Sequence, residues 1–160
     1  MIIRTSRTED LPEVLALTIT VFGPFYEDSY RPRVGDRVFL DRHGDWRADY
    51  ARHVAAVHDP GQGRHAAVAH LDDRIAGYVA WVVHEADRHG EIDILAVSPD
   101  HRRRGVGRAL LDHAQAHLKS AGVTVVSIGT GGDAFHAPAR ALYESLGHTP
   151  FPTVNYTKVV

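Results

Sequence analysis

The chain has 160 residues, 44% of them hydrophobic and 24% charged, with a formal net charge of −2 at pH 7. That length suits one domain able to bury roughly 70% of its unfolded surface, and the near-neutral charge excludes general nucleic-acid binding. No cysteine is present, so disulfides, a thiolate nucleophile and thiolate metal ligation are excluded.

The first residues, Met-Ile-Ile-Arg-Thr-Ser-Arg, carry no apolar signal stretch, and no run approaches about 18 apolar residues, which predicts a cytoplasmic protein with no membrane association. Ile2–Arg4 predicts a short strand. Thr8 suits an N-cap, with Glu9 and Asp10 in the first turn of a helix carrying Leu11, Leu15, Ile19 and Phe22 on one stripe. Between Gly23 and Asp45 periodicity disappears. Aromatics and acids mix in Phe25, Tyr26, Glu27, Asp28 and Tyr30, and Arg31-Pro-Arg-Val-Gly35 is expected to break any helix. A second helix is predicted over 46–58 along Trp46, Tyr50, Val54 and Val57, followed by a loop from Asp59 to Gly63.

His65–His70 and Ile75–His84, joined at Leu71-Asp-Asp-Arg74, predict a hairpin. Glu91–Val97 alternates like a central strand, and Ser98-Pro99-Asp100 turns the chain. Leu110, Leu111, Ala114 and Leu118 then recur at helical spacing up to Gly122. Val123–Ile128 predicts a buried strand and Ala139–Leu146 a helix stopped by Gly147. The tail alternates Val154, Tyr156, Lys158 and Val160, a final strand. No repeat or linker interrupts residues 1–160, so a single mixed α/β domain is expected. His113 and His117 sit four apart, yet H-E-x-x-H is absent and no third ligand is evident, so they are assigned to a solvated helix face and no metal is predicted.

The strand-to-helix junction holds the clearest chemistry. His101-Arg-Arg-Arg-Gly-Val-Gly-Arg108 places two glycines where the first helical N–H groups lack partners and the helix dipole favours an anion. A dinucleotide fingerprint would need glycine where Leu110 stands, and no Gly-Lys pair exists for a P-loop. Arg-x-x-Gly-x-Gly after a strand, within the stretch Leu95–Leu111, resembles the acyl-CoA loop of the GNAT superfamily of N-acetyltransferases. Ala139-x-x-Leu142-Tyr143-Glu144-x-x-Gly147 resembles the helix that closes the CoA site in that family. Together the two motifs cover roughly residues 91 to 147. His136 stands where the family often has Asn, and His148 where it often has Phe.

The resemblance implies a mixed, mostly antiparallel sheet of about six or seven strands flanked by about four helices. It implies acetyl-CoA as acyl-donor cosubstrate, held by Leu95, Ala96, Val97, Arg102, Arg103, Arg104, Gly105, Val106, Gly107, Arg108, His136 and Tyr143. Tyr143 would protonate the leaving thiolate. Glu91 would be the base toward the amine, with Asp93 beside it: period two puts Glu91, Asp93, Leu95 and Val97 on one face, the two acids about 7 Å apart. Phe25, Tyr26, Glu27, Asp28 and Tyr30, with Trp81, would bind the acceptor. Their aromatics and carboxylates suit a small cationic amine such as an aminoglycoside or a polyamine, acetylated by direct attack in a ternary complex. A protein N-terminus or lysine as acceptor, a CoA-binding module without turnover, and a monomer or a homodimer all stay open.

Overall fold

The computed structural model describes residues 1–57 and 62–160, so His58 and most of the expected 59–63 loop lie outside the described residues. The described chain divides into two compact units. The first is Met1–Val21 with Arg47–Gly129, the second Phe22–Trp46 with Thr130–Val160.

The first unit is a five-stranded mixed sheet in the order β1-β2-β3-β4-β5, formed by Ile2–Thr5, Arg64–Leu71, Arg74–His84, His89–Val97 and Val125–Ile128. The first four strands pair antiparallel, and β5 lies parallel to β4. The β2–β3 hairpin closes through Asp72 and Asp73, both at positive φ, the backbone that a two-residue turn requires. Helix α5, Val106–Ser120, covers one face with Val106, Leu110, Leu111, Ala114 and Leu118, all buried. Gly77 makes this close packing possible, because a Cβ there would meet Ala96 O at 2.7 Å and the Leu110 and Val106 side chains at 3.1 Å.

Helix α1, Leu11–Pro24, buries Val14, Leu17, Thr18 and Val21, not the expected stripe of Leu11, Leu15, Ile19 and Phe22. The helix is apolar on both stripes, and tertiary contacts choose between them. Thr18 tolerates full burial because its hydroxyl donates to Val14 O at 2.7 Å and sits 2.8 Å from the Tyr78 hydroxyl of β3. Asp10 anchors the start of α1. It accepts two bonds of 2.7 Å from the Arg4 guanidinium and one from the Arg7 N–H. The Arg4 bond holds its carboxyl down at about 2 against the opposing effect of burial.

The second unit corrects the sequence reading at both of its ends. Residues 25–45, expected to be irregular, are largely helical: the chain continues from α1 through a π-helical turn, Phe25–Tyr30, into α2, Arg31–Val34. Pro24 lacks the N–H that would continue the i→i−4 ladder, which accounts for the wider turn after it. Gly35, at φ 83°, ends α2 and admits α3, Asp36–His43. Helix α4, Trp46–Ala56, then begins in this unit and passes into the first. After α6, Ala137–Ser145, no strand forms among residues 149–160. Val154 and Tyr156 are exposed, and the tail lines a cleft of about 450 Å³ with Arg37 and Arg42 of α3. Alternation alone makes no strand without a neighbouring edge to bond. Among the described residues the sheet therefore has five strands where about six or seven were expected.

Candidate functional site

β4 and the loop after it carry the first unit's chemistry. β5 pairs with His89–Ile92 and stops there, so Asp93–Val97 has β3 on one side and no strand among the described residues on the other. The main chain at Leu95, Ala96 and Val97 therefore lies along an open strand edge that a ligand amide or carbonyl can bond. At the same point the β3–β4 register shifts: Ala80 faces Ile94 and Trp81 faces Ile92, leaving Asp93 as the extra residue of a bulge.

The bulge corrects the expected common face. Glu91 pairs with Val82 and Leu95 with Val79. Val79 and Val82 are three apart on β3 and point to opposite faces, so Glu91 and Leu95 do too. Each β4 carboxylate instead has a histidine beside it. Asp93 Oδ2 lies 3.2 Å from His53 Nε2 of α4, and Glu91 Oε2 lies 3.9 Å from His84 Nε2. The negative charge of Asp93 also reaches Tyr78, whose hydroxyl is pushed well above its ordinary value, chiefly by burial and against the Thr18 hydrogen bond.

Beyond Val97, a turn of 3-10 helix at Pro99–His101 leads to Arg103 and Gly105, both in the left-handed region at φ 60° and 79°. Gly105 is the N-cap of α5 and offers no side-chain cap, and space is open where its Cβ would be. Ala109 N bonds Gly105 O at 3.0 Å, so the Val106, Gly107 and Arg108 N–H groups precede the first helical bond. Arg102, Arg103, Arg104 and Arg108 are all exposed around this point, and Arg104 is held at 2.9 Å by Asp72 of the β2–β3 turn. An uncapped helix start, an accessible main chain and a ring of guanidinium groups fit a pyrophosphate.

Trp81 does not join these residues as an acceptor wall. It lies on the α5 face, four residues from Gly77, and donates from Nε1 to His117 Nδ1 at 3.1 Å. His65 stacks on its indole ring at 5.6 Å, and His113 meets it edge-on at 6.0 Å. His113 and His117 are thus packing partners of a buried Trp81 rather than a purely solvated face. Burial, and then the charge of His117, lowers the pKa of His65. Among the described residues, no group of three or more metal-ligating side chains is assembled.

In the second unit, Phe25, Tyr26 and Tyr30 do come together. Phe25 packs edge-on against Tyr26 at 5.1 Å and lies 5.8 Å from Tyr30, while Tyr26 stacks flat on Trp46 at 4.8 Å. Glu27 accepts from Trp46 Nε1 at 3.0 Å and from Arg31 at 3.3 Å, so its carboxylate is already paired. Asp28 is exposed. Trp46 was assigned only to a helix face, yet it anchors this cluster.

Phe25 also touches His136 and Phe135. His136 Nδ1 lies 2.7 Å from Asp133 Oδ2, and Arg140 donates to the Gly131 and Asp133 carbonyls, so the loop after β5 is bonded from within. Burial pushes the Asp133 carboxyl up, but His136 outweighs it and the pKa falls below the ordinary value. Tyr143 is buried on α6, and burial pushes its phenol up to about 12.

His53 is the residue that sequence reasoning missed. Its signal was the helical period: it falls three after Tyr50 and four before Val57, along the inward stripe of α4.

The model of the acetyltransferase (GNAT) family matches residues 24–148 of this chain. A mycothiol acetyltransferase from Thermomonospora curvata is 31% identical over 155 residues, covering 92% of this chain and 50% of that protein. The chain spans half or less of the length of the curated relatives it matches. Among solved structures, a mutant of the BH1408 protein from Bacillus halodurans superposes with a TM-score of 0.74, at 20% identity and full coverage of both chains. The aminoglycoside 6'-N-acetyltransferase AAC(6')-IG from Acinetobacter haemolyticus gives 0.68, at 17% identity, over 100% of this chain and 99% of that one. At such identities these two likenesses concern the fold. No helix among the described residues is long and apolar enough to cross a membrane.

Proposed function

The chain belongs to the GNAT acetyltransferase family, whose members use acetyl-CoA as cosubstrate, and from that premise we propose that it transfers an acetyl group from acetyl-CoA to a primary amine of a small cationic molecule. The observation that carries this reading is the uncapped start of α5, ringed by arginines and preceded by the open edge of β4. Arg102, Arg103 and Arg104 with the N–H groups of Val106, Gly107 and Arg108 hold the pyrophosphate. Charge-assisted bonds of this kind contribute about 1.5–3 kcal/mol each. Leu95, Ala96 and Val97 offer main-chain groups to the pantetheine arm and a donor to the oxyanion of the tetrahedral intermediate. The proton of the incoming ammonium leaves at the bulge of β4, where Glu91 and Asp93 stand beside His84 and His53. Tyr143 protonates the departing thiolate. With its pKa pushed up to about 12, it carries its proton throughout the neutral range.

The acceptor reading rests on the aromatic cluster around Phe25, Tyr26 and Tyr30, with Asp28 exposed beside it. Aromatic faces and a carboxylate favour an amine that is cationic before it reacts. The mycothiol acetyltransferase relative, named for transfer to a small molecule, points the same way. The test is release of free CoA from acetyl-CoA with a panel of aminoglycosides, other aminosugars, polyamines and peptides. Turnover with a small cationic amine is expected. Acetylation of peptides alone would move the acceptor to protein N-termini or lysines, and acetyl-CoA binding with no turnover would leave a binding module.

A further inference from the structure

At the bulge of β4 a carboxylate and an imidazole are held together where the strand's unpaired edge begins. Asp93 Oδ2 lies 3.2 Å from His53 Nε2, with 25% and 34% of the two side chains exposed. That exposure leaves both within reach of a small molecule, and so exposed a pair adds little to stability. The carboxylate lies at the Nε2 side of the ring, so an imidazole that takes up a proton gains a counter-charge already in place. The end of α4 that carries His53 is anchored by Val54 and by Val57 just beyond the helix, both buried. The bulge itself turns Asp93 out of the regular alternation and onto this histidine.

We infer that the His53 imidazole accepts the proton of the incoming amine and that Asp93 is the residue positioning it, an inference that rests on the acetyl-transfer reading. An imidazole's ordinary pKa of about 6.5 lies some two units closer to an amine's than a carboxylate's does, which makes it the better acceptor at neutral pH. The ammonium gives one proton to the His53 imidazole, and the Asp93 carboxylate compensates the imidazolium that forms. The freed nitrogen lone pair makes the N–C bond to the thioester carbon, and the carbonyl π pair moves to oxygen. As that pair returns, the C–S bond breaks, and the thiolate leaves with its electrons and takes the proton of the Tyr143 hydroxyl, which the second amine proton restores. His53 then releases its proton to water. The charges to be reckoned with around it are Asp93 of β4, the buried Tyr78 hydroxyl of β3 that senses Asp93, Glu91 beside His84, and the exposed Asp49–Arg52 pair on α4 itself.

The experiment follows acetyl transfer to an amine found active in the panel, between about pH 6 and 10, for the parent, His53→Gln, Asp93→Asn and Glu91→Gln, with acetyl-CoA affinity measured by calorimetry. His53→Gln is expected to lose at least about 30-fold in kcat/KM at pH 7, to recover toward the parent at high pH as the amine becomes neutral in solution, and to keep its acetyl-CoA affinity. Asp93→Asn should lose about tenfold and move the acidic limb to lower pH, since removing the neighbouring anion makes the imidazole easier to deprotonate. Parental rates and pH profile in folded His53→Gln overturn the assignment, as does loss of the acidic limb in Glu91→Gln alone. If His53→Gln fails to fold, the limb of Asp93→Asn decides: a displaced limb supports the pair and an unmoved one overturns it. A parent that binds acetyl-CoA but acetylates no amine overturns the transfer reading, and this assignment with it. An active parent with an indifferent His53→Gln overturns the His53–Asp93 pair alone.

Discussion

The loop at the start of α5 and the aromatic segment from Phe22 to Trp46 present opposite kinds of surface. The loop is main chain: two left-handed residues, a helix start without a side-chain cap, and arginines standing exposed around it. The aromatic segment is side chain, and its groups already engage one another: Tyr26 on Trp46, Trp46 on Glu27, Glu27 on Arg31. A main-chain site needs glycine and a turn, which are local. A side-chain site needs partners brought from far along the chain. The first tolerates substitution of its flanking charges better than of its glycines, and the second responds to loss of a single ring or oxygen.

The largest effect is expected from a side chain. Tyr143→Phe removes one oxygen and should lower kcat by about 100-fold, the lower range for a positioned proton donor, with little change in acetyl-CoA affinity. Because burial holds that phenol at about 12, no alkaline limb from its ionisation should appear in the parent below about pH 11. Full turnover of the Phe variant would make Tyr143 a packing residue. Next comes the main-chain site. Gly107→Val places a branched side chain at the second residue of α5, where an anion must approach closely, and calorimetry should show acetyl-CoA binding weakened at least about tenfold, or 1.4 kcal/mol. Arg102→Gln, by contrast, should weaken it only about threefold, since exposed charges are screened. A reversed order, with Arg102 mattering more than Gly107, would make the loop a side-chain site and erase the contrast. The smallest effect is expected from Trp46→Phe, which keeps a ring under Tyr26 but withdraws the donor from Glu27. The acceptor KM should rise about twofold with acetyl-CoA affinity unchanged, as steady-state kinetics at saturating acetyl-CoA would show. An unmoved acceptor KM would separate this cluster from acceptor binding.

The same contrast governs how much could be seen before the structure. The hairpin through Asp72 and Asp73, the central strand, the loop and α5 with Gly122 beyond it all follow the sequence pattern, because period, turn residues and helix starts are short-range properties. The helices from Phe25 to His43 were hidden by Pro24, Pro32 and Gly35, which look like breakers. Here Pro24 sits at a change to a π-helical turn, and Pro32 falls at the start of α2, where its missing N–H costs little. The tail from Val154 onward has the alternation of a strand, yet no strand forms among residues 149–160.

What the sequence by itself determined is the order of elements, the glycines and arginines at the helix start, and the kinship of residues 24–148 with one family of acetyltransferases. Tertiary structure alone decided the rest. Which stripe of α1 is buried depended on Thr18 finding the hydroxyl of Tyr78. Trp81 was drawn to α5 by His117. Asp93 was displaced by one extra residue in a strand register, and that slip brought its carboxylate to His53, forty residues earlier in the chain. A bulge costs a sequence nothing visible, since the count of residues between two strands does not say which of them goes unpaired.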